Sequence, residues 1–202
     1  MATHFIASLN DDQWHIFKII WDSTINKQGQ LFFINGWGRC EKTYLYETLC
    51  YAICAQDLII LCVASTGLAC LLLPGGQIAY STFKIPIDNL DEYSICCIPK
   101  ESLHADLLCS ADAIFYDKSL MIHWHCFEAL NRTFQDLWNC PKPFGGLTMV
   151  FRGDFQQILL VILRGSWTEI MDACLCSSYL WNHIEVLKLR ENMQLQNVRI
   201  VI

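Results

Sequence analysis

Short, almost uninterrupted runs of apolar residues alternate with segments of helical spacing, and this pattern most constrains the fold. Such runs predict strands that are buried on both faces, the arrangement typical of a parallel sheet covered by helices. Glycine, proline or polar residues bound each run, which favours strands over helices. The predicted strands are residues 31–34, 58–64, 113–116, 147–151 and 186–189.

Two helices are predicted between these strands. Residues 42–55 carry Leu45, Leu49, Ala52 and Ile53 on one side, and residues 127–138 form the second helix. A shorter helix is expected after the second strand, where the Pro-Gly-Gly sequence at 74–76 ends it. We therefore expect an α/β fold with a mostly parallel sheet and helices on both faces, built as one domain over residues 1–202.

Composition narrows the possible functions. Hydrophobic residues make up 53% of the 202 residues and charged residues 17%, so a packed core is expected rather than disorder. A net charge of −6 argues against a domain that holds nucleic acid by phosphate neutralisation alone. The first residues lack the features of a signal peptide, so the 12 cysteines favour a reducing compartment over a disulfide framework. The longest apolar stretch, 58–73, is interrupted and short for a membrane span.

Candidate site residues directly follow predicted strands. Gly36, Thr66, Asp117 and Asp154 each come just after one of them. In open parallel sheets, ligands bind beyond the carboxyl ends of the strands. Asp154 is interpreted as a loop-capping carboxylate rather than a metal ligand. The shared placement predicts a ligand site at this edge of the sheet.

The segment after the first strand is a candidate phosphate-binding loop. Gly36, Lys42 and Thr43 have the spacing of the G-x-x-x-x-G-K-[ST] motif, but Glu41 stands at the second glycine position. In that motif, backbone N–H groups hold the phosphates, the lysine reaches the β and γ groups, and the hydroxyl binds Mg²⁺. Gly36 and Gly38 also begin a dinucleotide fingerprint, which fails at the same glutamate. An ordinary strand-to-helix turn is the third interpretation, and these residues alone leave all three open.

Further segments carry a resemblance to a known family. In order and spacing, the region from about Leu9 to Leu195 resembles the DNA helicases of the petite-integration-frequency (PIF) and Helitron type. The family implies a RecA-like P-loop NTPase fold, ATP with Mg²⁺, and 5′-to-3′ translocation on single-stranded DNA. The resemblance rests on VASTGLA (63–69), LLLPGG (71–76), STFKIP (81–86), MIHWHCFEAL (121–130), FGG (144–146), GDFQQIL (153–159) and NM (192–193).

The resemblance implies how the nucleotide is held. Gln13, in the sequence LNDDQ, matches the glutamine that recognises adenine. Lys42 and Thr43 match the phosphate-binding lysine and the magnesium-binding hydroxyl. Gly36 and Gly38 belong to the loop that surrounds the phosphates.

The same resemblance implies roles for three further residues. Asp117 matches the Walker B aspartate, which holds the metal directly or through water. Gln157 matches the glutamine that senses the γ-phosphate and couples it to DNA. Thr66 lies in the motif that contacts the DNA backbone, where a hydroxyl and free N–H groups suit a phosphate. The resemblance also leads us to expect a nuclear location, a monomer and the absence of the family's second motor domain.

Three departures from the family pattern fall on the chemistry. Glu41 replaces a glycine of the phosphate loop and brings a carboxylate near the triphosphate. Lys118 replaces the glutamate that polarises the attacking water, a loss that typically costs about 10²–10⁴ in rate. Gln194 replaces an arginine of a type worth about 10³–10⁵. Leu160 and Tyr80 also differ from the family pattern, which has proline and histidine there. We therefore expect a weak or inactive ATPase, or a non-catalytic remnant that at most binds nucleotide or DNA.

Two other functions compete with this hypothesis. The sequence His123-Trp124-His125-Cys126, with Cys109 nearby, suggests a zinc site, but its spacing fits no common zinc pattern and packing is the preferred interpretation. A nicotinamide oxidoreductase requires an acidic residue at the end of the second strand to hold the ribose. Ser65 occupies that position instead, which disfavours the oxidoreductase.

Overall fold

The computed structural model describes residues 2–36, 41–87, 90–155 and 166–190. Within them, six strands are interspersed with eight α-helices. No helix of this part of the chain is long and apolar enough to cross a membrane. The elements are α1 Ala2–Ala7, α2 Asp11–Ile25, β1 Leu31–Gly36, α3 Lys42–Cys54, β2 Ile60–Ala64, α4 Gly67–Cys70, β3 Gln77–Ile78, α5 Ala79–Phe83, α6 Leu103–Cys109, β4 Ala113–Asp117, α7 Trp124–Leu137, β5 Thr148–Gly153, α8 Trp167–Asp172 and β6 Ile184–Leu189.

All six strands form one parallel sheet in the order β3-β2-β4-β5-β1-β6. The predicted fold class is therefore confirmed, and each of the five predicted strands overlaps an observed one. The sixth strand, β3, was missed because it is only two residues long and both residues are exposed. A pair of residues is too short to show the apolar run that identifies a buried strand.

Strand order determines which residues meet at the carboxyl edge of the sheet. β5 lies between β4 and β1, with Tyr116 opposite Phe151 and Ile34 opposite Arg152. Arg152, at the end of β5, is therefore flanked by the ends of β4 and β1. Asp117 follows Tyr116 on one side, and Gly36 ends β1 on the other.

The sheet has a buried core on each face because alternate side chains of a strand point to opposite faces. On one face, Phe33, Tyr116 and Phe151 pack with α7. On the other, Phe32, Ile34, Phe115, Val150 and Leu187 pack with α2 and α3. By the same alternation, Arg152 shares the face of Val150, and Asp117 shares the face of Phe115. Both charged side chains thus lie on the α3 side of the sheet.

The helix predictions hold with shifted ends. The residues predicted to face the core in the first helix, Leu45, Leu49, Ala52 and Ile53, are all buried in α3. The second helix, α7, begins three residues earlier than predicted because Nδ1 of His123 accepts the backbone N–H of His125 at 3.1 Å.

Helix α2 was not predicted, although its start carries a capping box. Oδ1 of Asn10 accepts the N–H of Gln13 at 2.8 Å, and Oε1 of Gln13 accepts the N–H of Asn10 at 3.1 Å. This reciprocal pair satisfies two backbone donors and sets the first turn of the helix.

A close backbone approach just before β1 and β5 holds these two strands together. Gly29 has φ +68°, and a Cβ atom built on it would lie far inside van der Waals contact with the carbonyl oxygen of Gly146. The next residue, Gln30, accepts the N–H of Met149 at 3.1 Å. Only glycine fits this approach, because it combines a left-handed conformation with the absence of a side chain.

We predict that Gly29→Ala lowers the free energy of unfolding by roughly 1–3 kcal/mol more than Gly75→Ala, measured by chemical denaturation. Gly75 is the matched control because it also has a left-handed φ, +60°, but a Cβ atom there meets nothing within 4 Å. Both variants carry the strain of the backbone conformation, whereas only Gly29→Ala adds the clash. Equal losses would mean that the approach to Gly146 does not constrain the fold.

Candidate nucleotide site

Lys42 and Gly36 bracket the candidate phosphate loop. β1 ends at Gly36, α3 begins at Lys42, and Nζ of Lys42 donates to the Gly36 carbonyl oxygen. The ammonium group thus lies over the start of the loop, beside the carboxyl end of β1. Residues 37–40, including the predicted site residue Gly38, lie outside the described residues.

Glu41 is exposed and adopts the left-handed conformation, with φ 47° and ψ 40°. A residue with a Cβ atom pays roughly 1–2 kcal/mol for this conformation, whereas glycine adopts it at little cost. The backbone at this position therefore has the shape for which the phosphate-loop motif uses glycine. Glu41 keeps that shape at an energetic cost and adds a negative charge at the same place.

One guanidinium group joins Asp117 to Thr43. Nε of Arg152 lies 3.1 Å from Oδ1 of Asp117, and its Nη2 donates to Oγ1 of Thr43 at 3.0 Å. Thr43 and Asp117, predicted to share one site, therefore lie within the span of a single side chain. Arg152 was not predicted as a site residue. It is the only charged residue of the otherwise apolar strand β5, and this isolated charge could have identified it.

Arg152 and Asp117 form a buried ion pair. Their side chains are 10% and 2% exposed, and the guanidinium carbon lies 5.2 Å from the centre of the Tyr46 ring. Within the described residues, Nη1 of Arg152 and Oδ2 of Asp117 have no hydrogen-bond partner. Removing one member of a buried pair typically costs about 3–5 kcal/mol, because the other charge is left uncompensated.

Tyr46 packs beneath this ion pair from α3. Burial raises the pKa of its phenol well above the ordinary value, and the Asp117 carboxylate raises it further. The group therefore keeps its proton and donates it to the carbonyl oxygen of Val150 at 3.0 Å. This hydrogen bond fixes α3 against β5 and thereby sets the distance between Thr43 and Arg152.

The predicted magnesium ligands do not fit a metal ion in this arrangement. A magnesium ion bound directly by Thr43 and Asp117 would need their oxygen atoms at about 2.0–2.1 Å, and one bound to Asp117 through water would still need a carboxylate oxygen that can accept that water. Oγ1 of Thr43 and Oδ1 of Asp117 are instead both bound to the guanidinium of Arg152. The second carboxylate oxygen of Asp117 is buried without a hydrogen-bond partner in the described chain. The cation between Thr43 and Asp117 is therefore the guanidinium group of Arg152.

Lys118 occupies the position expected for the water-polarising residue. It has φ 56°, and its backbone N–H donates to Oδ1 of Asp117 at 2.8 Å. Its carbonyl oxygen accepts the hydroxyl of Ser65 at 2.8 Å, so the ends of β2 and β4 are tied together here. A protonated ammonium group cannot accept a proton from water, so this position cannot supply a general base.

Gln13 lies at the same edge of the sheet as the phosphate loop. The neighbouring Asp12 accepts the N–H of Arg190 at 2.9 Å, just past the end of β6, and the register pairs Leu189 of β6 with Gly36. The start of α2 is thus held close to the end of β1. Gln13 is 1% exposed, and its Nε2 has no hydrogen-bond partner among the described residues.

Thr66 lies at the end of β2 and is exposed. Its Oγ1 accepts the N–H of Ala69 at 3.3 Å and caps the short helix α4. The N–H of Ala69, one of the backbone donors expected to bind a phosphate at this helix start, is therefore already used. The hydroxyl proton of Thr66 is the group that can still be donated.

Other predicted features have structural roles or lie outside the described residues. Nδ1 of His125 lies 3.3 Å from the carbonyl oxygen of Leu90, while His123 caps α7. In the described part of the chain, no three histidine, cysteine or acidic residues are grouped to hold a metal ion. Gln157, Leu160 and Gln194 fall outside the described residues.

A sequence model of the PIF1-like helicase family matches residues 8–200. The chain belongs to the PIF1-like helicase family. This match confirms the resemblance inferred from the motifs, and it spans nearly the whole sequence.

Individual relatives agree with this assignment. The chain is 28% identical over 156 residues to the ATP-dependent DNA helicase PIF4 of Trypanosoma brucei brucei, covering 75% of this chain and 18% of the relative. It is 26% identical over 174 residues to the ATP-dependent DNA helicase Pif1 of a Psychrobacter species, covering 86% and 26%. The chain thus spans about a quarter or less of the length of these curated relatives.

Solved structures of the family have the same fold. A Candida albicans Pif1 helicase superimposes with a TM-score of 0.75 at 19% identity, covering 95% of this chain and 42% of that one. A Bacteroides Pif1 helicase in complex with ADP-AlF3 and ssDNA gives 0.75 at 19%, covering 91% and 42%. The RecA-like architecture predicted from the motifs is therefore confirmed.

We predict that Glu41→Gly stabilises this PIF1-like chain by several tenths of a kcal/mol to about 1 kcal/mol in chemical denaturation. The left-handed strain at Glu41 exceeds the extra backbone entropy that glycine brings to the unfolded chain. Glu47→Gly is the control, because Glu47 lies within α3 and glycine there should destabilise by about 1 kcal/mol. Destabilisation by both variants would argue against strain at position 41.

Proposed function

We propose that this chain is the first motor domain of a PIF1-like ATP-dependent DNA helicase, with weak hydrolysis in this copy. The observation that carries the proposal is the convergence of Lys42, Thr43 and Asp117 at one edge of the parallel sheet, with one guanidinium group contacting two of them. Ligands bind at this edge in open α/β sheets.

ATP is the proposed ligand. The ammonium of Lys42 would exchange the Gly36 carbonyl oxygen for a phosphate oxygen, which carries more negative charge and makes the stronger hydrogen bond. Gln13 supports recognition of adenine, because its buried Nε2 is a donor of the kind that N7 of adenine accepts. We propose the same phosphate-binding role for the loop residues Gly36 and Gly38.

The proposed hydrolysis is weak for two reasons that belong to the chain itself. Lys118 stands where the family has its water-polarising glutamate, and Gln194 stands where it has an arginine. Each loss typically costs at least about a hundredfold in rate, although losses in one catalytic unit need not add. Magnesium, the metal that the family uses, is also opposed here by Arg152.

A second candidate function is that of a non-catalytic remnant that binds nucleotide. The buried pair of Arg152 and Asp117 favours it, because this pair occupies the oxygens that a hydrolytic site needs for its metal. The two candidates differ in turnover only, since both require Lys42 to hold the phosphates.

We propose DNA binding at the end of β2. The corresponding activity of the helicase family is 5′-to-3′ translocation on single-stranded DNA. Thr66 is exposed there and can donate its hydroxyl to a backbone phosphate. The net charge of −6 supports weak binding by this portion alone.

Gln157 is proposed to couple the γ-phosphate to DNA. We further propose a monomer, a nuclear location and origin from a Helitron-like element.

We predict that Lys42→Ala weakens binding of a fluorescent ATP analogue by about tenfold or more, because the loop loses its positive charge. Lys18→Ala is the matched control, since Lys18 is exposed on α2 and should leave the affinity unchanged.

Phosphate release by the unaltered chain should stay barely above background with or without single-stranded DNA. Strong DNA-stimulated release would contradict the proposed loss of hydrolysis.

We also predict that Glu41→Gly tightens nucleotide binding. The change removes a carboxylate that repels the triphosphate, and two unit charges about 4 Å apart repel by roughly 4 kcal/mol at an effective dielectric of 20. Glu47→Gln serves as the control, because it removes one negative charge from the same helix away from the loop. Equal affinities of the Glu41→Gly and unaltered chains would show that the glutamate does not face the phosphates.

A further inference from the structure

Arg152 takes the position between two oxygen atoms that a metal would join. Its Nε and Nη2 lie 3.1 Å from Oδ1 of Asp117 and 3.0 Å from Oγ1 of Thr43. A divalent ion bound by the same two oxygens would have to lie between them, at about 2.0–2.1 Å from each if it is magnesium. The guanidinium and the metal therefore exclude each other.

The surroundings keep the guanidinium in this position. The side chain of Arg152 is 10% exposed, and its guanidinium lies over the Tyr46 ring at 5.2 Å. Its partner Asp117 is 2% exposed, so displacing the guanidinium would leave a buried carboxylate without its cation. Arg152 comes from the strand between β1 and β4, and its side chain therefore enters the site from within the sheet.

We propose that Arg152 replaces the divalent metal of this site, so that the chain binds a nucleoside triphosphate without a metal ion. The inference rests on the proposed nucleotide-binding function. Two of the donor nitrogens hold Asp117 and Thr43, and Nη1 is buried without a hydrogen-bond partner among the described residues. A guanidinium is well suited to phosphate oxygens, because its charge and planar donors match their geometry.

This replacement separates binding from hydrolysis. The guanidinium takes the place of the metal between Asp117 and Thr43, and the proposed affinity for the triphosphate then comes from Lys42 and from directed hydrogen bonds. It has no coordination site for water and does not act as a Lewis acid, which are the means by which metals promote hydrolysis. The site therefore retains a triphosphate without activating the water that would cleave it.

The first test uses the unaltered chain and N-methylanthraniloyl ATP as the fluorescent probe. Dissociation constants are measured in excess Mg²⁺ and in excess EDTA, and we expect them to agree within about threefold. Binding that weakens about tenfold or more in EDTA would overturn the metal replacement while leaving the proposed function intact. Absence of binding in both buffers would overturn the proposed function and this inference with it.

The second test removes the guanidinium. In Arg152→Gln and Arg152→Ala, Asp117 and Thr43 become available to a metal, and probe binding should become at least about tenfold tighter in Mg²⁺ than in EDTA. Arg132→Ala is the control, because Arg132 pairs with Glu128 at 3.7 Å on α7 and takes no part in the site. Metal-independent binding by both Arg152 variants would overturn the assigned role.

A third measurement needs no nucleotide and identifies variants that fail to fold. Mg²⁺ alone should raise the melting temperature of Arg152→Gln, because the ion compensates the carboxylate of Asp117 that has lost its partner. The same Mg²⁺ should leave the melting temperature of the unaltered chain unchanged. A rise of equal size in both chains would overturn the proposal, since it would show that a metal binds beside Arg152.

Discussion

The buried ion pair between Arg152 and Asp117 is the interaction on which the candidate site depends. Transferring two charges from water into the interior costs several kcal/mol each, and only close pairing with further hydrogen bonds offsets that cost. Here the carboxylate also accepts the N–H of Lys118, and the guanidinium also donates to Thr43. The pair therefore joins the end of β4 to the end of β5, and the hydrogen bond from Arg152 to Thr43 adds the first turn of α3.

The remaining geometry follows from this constraint. Strand β5 lies between β4 and β1, so a side chain at its end reaches both of the strands that carry the predicted site. Helix α3 is held over β5 by the hydrogen bond from Tyr46 to Val150, which keeps Thr43 within reach of Arg152. The left-handed backbone at Glu41 then directs the chain from the loop into α3. The backbone at position 41 thus keeps the conformation for which the motif uses glycine, even though glutamate stands there.

The sequence was informative about strands and about residues at strand ends. Continuous apolar runs identify buried strands, and a parallel sheet brings their carboxyl ends to one edge, which is why Gly36 and Asp117 could be placed at that edge; the loop motif after β1 added Lys42 and Thr43. Helix α2 and Arg152 could not be placed in the same way. The face of α2 is set by its contacts with distant strands, and the role of Arg152 depends on the order β4-β5-β1, which is a non-local property. The charge within an apolar strand was visible, but its partners were not.

Glu41 and Arg152 are the two charged residues that change the electrostatic environment of the candidate phosphate site, and they carry opposite charges. A triphosphate approaching the loop meets the cations Lys42 and Arg152 together with the carboxylates Glu41 and Asp117. Arg152 is already neutralised by Asp117, and Glu41 opposes Lys42, so the loop offers the phosphates little net positive charge. A divalent ion would have left a surplus charge after pairing with Asp117, whereas a guanidinium leaves none. In the proposed nucleotide complex, affinity therefore comes mainly from directed hydrogen bonds such as that of Lys42, rather than from net charge.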